Sequence, residues 1–220
     1  MQLDHIISND EYLMNEYLTD IHIISHSKSL CVMNNEPSTK YEISAQFDFL
    51  PFSIDFVVIE SDKEHPYIDS MNIDVKSAWK HELSPLVTMS IQNKSPILWM
   101  NGLRSFLKEV KYRQDIWRWM KETWDEYVYI PFDEYSSYVV IDFDSEHNNQ
   151  NKLKFTLLWS IEWSFDGNIQ PILRPGFNIQ TEDTSINVKD YINQLYIHFQ
   201  SLMQIKGIKS AITVLMKTGL

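Results

Sequence analysis

A chain of 220 residues with a formal net charge of −11 is long enough to bury one large core or two small ones without disulfide or metal staples. Its single cysteine, Cys31, excludes an internal disulfide and fits a reducing compartment, cytosol or nucleus. Residues 1–70 hold 13 acids against 3 bases, so the acidity is N-terminal, and the overall balance excludes duplex-DNA binding through the phosphate backbone as a whole-chain function.

Asp4, Asp10, Glu11, Glu16 and Asp20 stand in the first twenty residues with no base, the reverse of a signal or transit peptide. A weak helical pattern runs through residues 1–20, and Ile21 to Met33 is a candidate strand. No uncharged apolar stretch reaches the roughly 18 residues needed to cross hydrocarbon as a helix. His22 and His26, four apart and near Cys31, would share a helix face and begin a metal site, but no second cysteine or paired histidine completes it.

Three alternating runs follow. Tyr41, Ile43, Ala45, Phe47 and Phe49 form an inward set, Leu50-Pro51 turns the chain, and Ile54, Phe56 and Val58 continue it. Met71, Ile73 and Val75 make a third strand of an antiparallel meander. Ser95 as N-cap and Pro96 at the first helical position start a helix reaching about Tyr127. Its buried stripe is Leu103, Phe106, Leu107, Val110, Trp117, Met120 and Trp124, interrupted near Arg113, with Gly102 marking a kink. Six bases between Arg104 and Lys121 read as a solvated helix face, the alternative being a site for an acidic partner or phosphate. Trp117 and Trp119 diverge by about 160° on a helix, so one of them is expected at the surface beside Arg118, a combination typical of interface hot spots.

Val139, Ile141 and Phe143 suggest the next strand, with Tyr129 to Tyr135 as the join between two modules. Leu153, Phe155, Leu157, Trp159, Ile161, Trp163 and Phe165 then alternate on one face, and Asp166-Gly167 predicts a two-residue hairpin. Ile169 to Ile179 is the return strand, and Pro171 and Pro175 make it an edge strand or a bulged one. Val188, Ile192, Leu195, Phe199 and Leu202 form a helical stripe, Gly207 breaks it, and Ile208, Ile212 and Leu215 make a short last helix. Asp142, Asp144 and Glu146 on a strand are the wet face, the alternative being a metal-assisted hydrolase. The five glycines never cluster into a phosphate-cradling loop, and Cys31 has no recognisable activating base.

His65-Pro66-Tyr67-Ile68, then Trp79 and Ser84-Pro85, resemble the ubiquitin-conjugating-enzyme superfold, with Tyr67 in place of the family's asparagine. No cysteine follows Cys31, so the resemblance points to the catalytically dead relative, the RWD domain. The predicted fold class is therefore α+β, two RWD-like modules in tandem, each an antiparallel β-meander packed against helices. The expected division is an N-terminal acidic segment over 1–38 and modules over 39–128 and 129–220. Lys154 to Ile161, Asp166-Gly167, Pro171-Ile172-Leu173 and Gly207 to Ile212 resemble the centromere protein P family of the inner-kinetochore COMA assembly. The runner-up is the C-terminal tandem RWD of the outer-kinetochore scaffold. The resemblance implies a nuclear, non-catalytic subunit without cofactor, metal, membrane or direct nucleic-acid contact. It implies pairing with a centromere protein O-type tandem-RWD subunit and docking of centromere protein Q- and U-type helical segments. The candidate partner-binding residues are Trp117, Arg118, Trp119, Tyr191, Leu195, Tyr196, Ile208 and Ile212, with a groove bordered by residues 188–215.

Overall fold

The computed structural model describes residues 21–33, 36–60, 65–76, 78–131, 136–143, 151–181 and 188–218. Backbone contacts divide the chain into two units. One takes the described residues up to Leu103 together with Phe165–Gly167, and the other takes Arg104–Ser164 and the described residues from Asn168 onward. This division falls within a helix, whereas the sequence pattern suggests its join at Tyr129 to Tyr135.

The first unit is the expected antiparallel meander. It consists of β1 (Ile21–Met33), β2 (Glu36–Phe47), β3 (Leu50–Ile59) and β4 (Tyr67–Val75), in the spatial order β1-β2-β3-β4. Apolar residues meet across it: Ile43 lies opposite Ile54, which lies opposite Ile73, and Ala45 lies opposite Phe52, which lies opposite Val75. The turn after β2 comes earlier than the proline suggests. Phe47 pairs with Leu50, so Asp48 and Phe49 make a two-residue loop, with Asp48 taking a φ of 53°. Aspartate tolerates the left-handed region better than most residues, and Pro51 sits inside β3. Phe49 therefore leaves the inward set and lies partly exposed beside Trp79.

The inward phase of β3 also changes. Phe52 and Ile54 are buried, but further along it is Val57 and Ile59 that are buried, while Phe56 and Val58 are intermediate. A register shift opposite Val57 and Val58 leaves Asp69 of β4 without a cross-strand partner, and such a bulge adds local twist.

An unforeseen helix follows, α1 (Lys80–Gln92), burying Leu83, Leu86 and Ser90. Pro85 lies inside it, which hid the helix from a reading in which proline ends helices. Next, α2 (Pro96–Thr123) begins where expected: Leu98 N–H donates to Ser95 Oγ at 3.1 Å. It stops at Thr123 instead of Tyr127. A Cβ at Gly102 would press into the Leu86 side chain, so this glycine lets α1 and α2 approach closely.

The second unit carries β5 (Val128–Tyr129), β6 (Tyr138–Asp142), β7 (Asn151–Trp163) and β8 (Ile169–Thr181), again in sequential antiparallel order. The two prolines do mark an edge strand, for β8 is last in its sheet and pairs with β7 without a register shift. The hairpin tip has three residues, not two: Ser164 N–H donates to Asn168 O at 2.9 Å, and Gly167 supplies a φ of 77°. Alternation consequently ends at Trp163, and Phe165 points away from the core at 98% exposure.

The inner face of β7, through Phe155, Leu157 and Trp159, is covered by Ile116, Trp117 and Met120 of α2. It is also covered by α3 (Val188–Lys206) and α4 (Ile208–Thr218), through Phe199, Ile208, Ala211, Ile212 and Leu215. The interruption near Arg113 is occupied by Arg113 itself, fully buried, which donates Nη1–H to Trp159 O at 2.7 Å. A cation in that position is invisible to a hydrophobic stripe.

Candidate docking cleft

Gly207 fixes the angle between α3 and α4. Its φ of 78° ends α3, and its N–H donates to Met203 O at 3.0 Å, the left-handed termination that glycine adopts without a Cβ penalty. A Cβ at Gly207 would meet nothing within 4 Å, so Gly207→Ala carries a backbone cost alone. The expected loss is about 1 kcal/mol, measurable as a lowered urea midpoint with unchanged slope.

The two helices enclose a cleft of about 110 Å³, lined by Leu195, His198, Phe199 and Leu202 of α3 and by Ala211, Val214 and Leu215 of α4. Away from the cleft, α3 presents Ile197 and Ile205 to solvent at 63% and 78% exposure, with Tyr191 and Tyr196 partly exposed. Residues eight apart lie about 80° apart around a helix, so Ile197 and Ile205 extend one outward face. Neither isoleucine belongs to the apolar stripe that locates the helix, and that displacement was the only signal available in the sequence.

The eight candidate residues separate by burial. Tyr191 and Tyr196 are at the surface and Leu195 lines the cleft, while Ile208 and Ile212 lie in the core beneath α4. Of the two divergent tryptophans, Trp117 is buried and donates Nε1–H to Ser136 O at 2.9 Å. Trp119 is intermediate, packed edge-on against Trp124 with a centroid separation of 5.0 Å, and Lys209 Nζ sits 5.1 Å from its ring centroid. Arg118 is exposed and paired with Asp115 at 3.0 Å.

The basic run on α2 is not a continuous cationic face. Arg113 is internal, Arg118 faces Asp115, and Lys121 pairs with Asp125 at 2.6 Å. Lys108 and Lys111 are exposed. Glu109, on the same helix, has its carboxyl held above the ordinary value of 4.5 by burial, an effect opposed by the Trp159 indole and the Arg113 and Lys108 charges. A raised folded-state pKa means the native state holds the proton more tightly, so stability from this group declines as pH rises from 4.5 through the folded value. Glu109→Gln is expected to raise the melting temperature at neutral pH and to flatten that decline, as read by melting across mildly acid to neutral buffers.

Asp142 pairs with Lys154 at 2.7 Å, and Asp144 and Glu146 lie outside the described residues. Among the described residues no three His, Cys, Asp or Glu side chains gather around a point that would hold a metal ion. His22 and His26 are on a strand instead of a helix, where a rise of about 3.3 Å per residue sets them roughly 13 Å apart.

Residues 39–216, which include the cleft, match the family model described as CENP-A-nucleosome distal (CAD) centromere subunit, CENP-P. The chain is 21% identical to centromere protein P of Mus musculus over 227 residues, covering 98% of this chain and 77% of that protein. It is 22% identical to centromere protein P of Homo sapiens over 229 residues, covering 99% and 77%. With centromere protein P of Gallus gallus it shares 24% identity over 200 residues, covering 88% and 67%.

Proposed function

Because this chain belongs to the CENP-P family of centromere subunits, we propose that it acts as a non-catalytic structural subunit of a COMA-type inner-kinetochore assembly in the nucleus. In this reading both sheet-and-helix units are RWD domains. The chain heterodimerises with a centromere protein O-type tandem-RWD subunit and receives helical segments of centromere protein Q- and U-type subunits, supporting chromosome segregation. The observations that carry the docking part are the apolar cleft between α3 and α4 and the exposed Ile197 and Ile205 on the outward side of α3. Large apolar side chains exposed on a helix that also borders an apolar cleft support its being covered by a partner, and helix-in-groove recognition uses such clefts.

Reconstitution tests the reading. The purified chain mixed with a purified centromere protein O-type subunit is expected to elute with it as one species containing the two in equal amounts. Separate elution under conditions where both proteins are folded would count against it.

A further inference from the structure

Sheets end in edges, and an unprotected edge invites another strand. Among the described residues, three of the four sheet edges are protected. β5 has only two residues, β8 contains Pro171 and Pro175, and β4 carries Asp69, Asp74 and the bulge at Asp69. β1 differs: it is 13 residues long, contains neither proline nor acid, and among the described residues no strand lies beyond it. Leu30 is 86% exposed and Val32 73%, with Ile23 and Ile24 also at the surface.

The sequence of β1, IHIISHSKSLCVM, is close to palindromic in chemical type about Ser27. In an antiparallel pair centred on Ser27, Ser27 meets its own copy, Ser25 meets Ser29, Ile24 meets Leu30, Ile23 meets Cys31 and Ile21 meets Met33. Only His22 opposite Val32 and His26 opposite Lys28 depart from the pattern. Centring on Lys28 keeps Ile24 opposite Val32 and Ile23 opposite Met33 but sets Lys28 against its own copy and Leu30 against His26, while centring on His26 sets Leu30 against His22 and Ile24 against Lys28. A strand whose two halves match in this way fits a second copy of itself, since a two-fold axis makes the contact self-complementary. The charge distribution agrees: the chain carries −11 overall, and this strand brings no acids to a contact between two such chains.

We propose that β1 is a homotypic pairing edge, through which two copies of this chain join antiparallel about Ser27 into one continuous eight-stranded sheet. The bulge at Ile24 bends the start of the strand, so the regular ladder is centred on Ser25 to Ser29, with the Ile24 and Leu30 pairs closing its ends. This contact is separate from the cleft and does not depend on what occupies it.

The test uses the purified full chain. Light scattering at micromolar concentration is expected to give twice the mass of one chain. Ser27→Lys, which sets like charges opposite each other at an exposed position and faces Glu42 within its own chain, is expected to weaken the dimer about tenfold or more without lowering the melting temperature. In a Cys31→Ser background, Ser27→Cys is expected to form a covalent dimer on mild oxidation, because directly opposed Cα atoms about 4.5–5.5 Å apart fall within disulfide reach. Ser25→Cys should cross-link only when mixed with Ser29→Cys. A wild-type chain that stays monomeric overturns the proposal, as does a dimer indifferent to Ser27→Lys or one in which Ser25→Cys cross-links to itself as readily as Ser27→Cys.

Discussion

Replacing Ile197 and Ile205 together by glutamate is expected to abolish capture of helical centromere partners while leaving the protein folded. Both side chains are more than half exposed, so neither substitution buries a charge, and surface changes of this kind stay within about 0.5 kcal/mol in stability. At a docked interface the same carboxylates would be pressed against an apolar helix face without a partner. If each isoleucine is a hot spot worth about 2 kcal/mol, its loss weakens binding roughly 30-fold, and the pair approaches a thousandfold. Binding titration paired with a melting curve separates the effects: lost affinity at unchanged melting temperature is the expected outcome, and unchanged affinity would remove this face from the docking surface. Ile212→Glu is the contrasting control, because Ile212 is fully buried and a charge there would unfold the helix pair.

Trp117→Ala is expected to be the most damaging substitution in the second unit, at about 3–5 kcal/mol. The indole is 2% exposed and meets Trp159 edge-on at 5.7 Å between centroids. Its N–H is a hydrogen-bond donor to the Ser136 carbonyl, so truncation leaves a cavity and removes that buried bond together. Against the usual 5–15 kcal/mol of domain stability this loss is large enough to populate unfolded protein. Chemical denaturation should show a strongly lowered midpoint. Trp119→Ala, two residues along but only partly buried, should cost markedly less, and equal losses would contradict the assignment of Trp117 to the core and Trp119 to its margin.

The comparison of these two tryptophans shows where the sequence was informative. Divergence by about 160° established that they face different ways, and the apolar stripe placed Trp117 inward, as it is found; what the pattern could not supply is its distant hydrogen-bond partner, Ser136 O. Strand alternation located both meanders, since half-buried strands write their pleat directly into the residue order. It failed where the backbone departs from regular pleating, at the Asp69 bulge and at the Asp48-Phe49 turn. The first helix was hidden by Pro85, and the buried Arg113 by its charge. The cleft was legible as a pair of helical stripes separated by Gly207. Ile197 and Ile205 were not, because exposed apolar residues carry no periodic signature of their own.

Affinity purification of the tagged chain from dividing cells, followed by mass spectrometry, tests its role most directly. The account predicts stoichiometric recovery of inner-kinetochore subunits, including one tandem-RWD partner, with the Ile197→Glu, Ile205→Glu chain losing the helical subunits. Recovery of a folded chain without centromere proteins would contradict it.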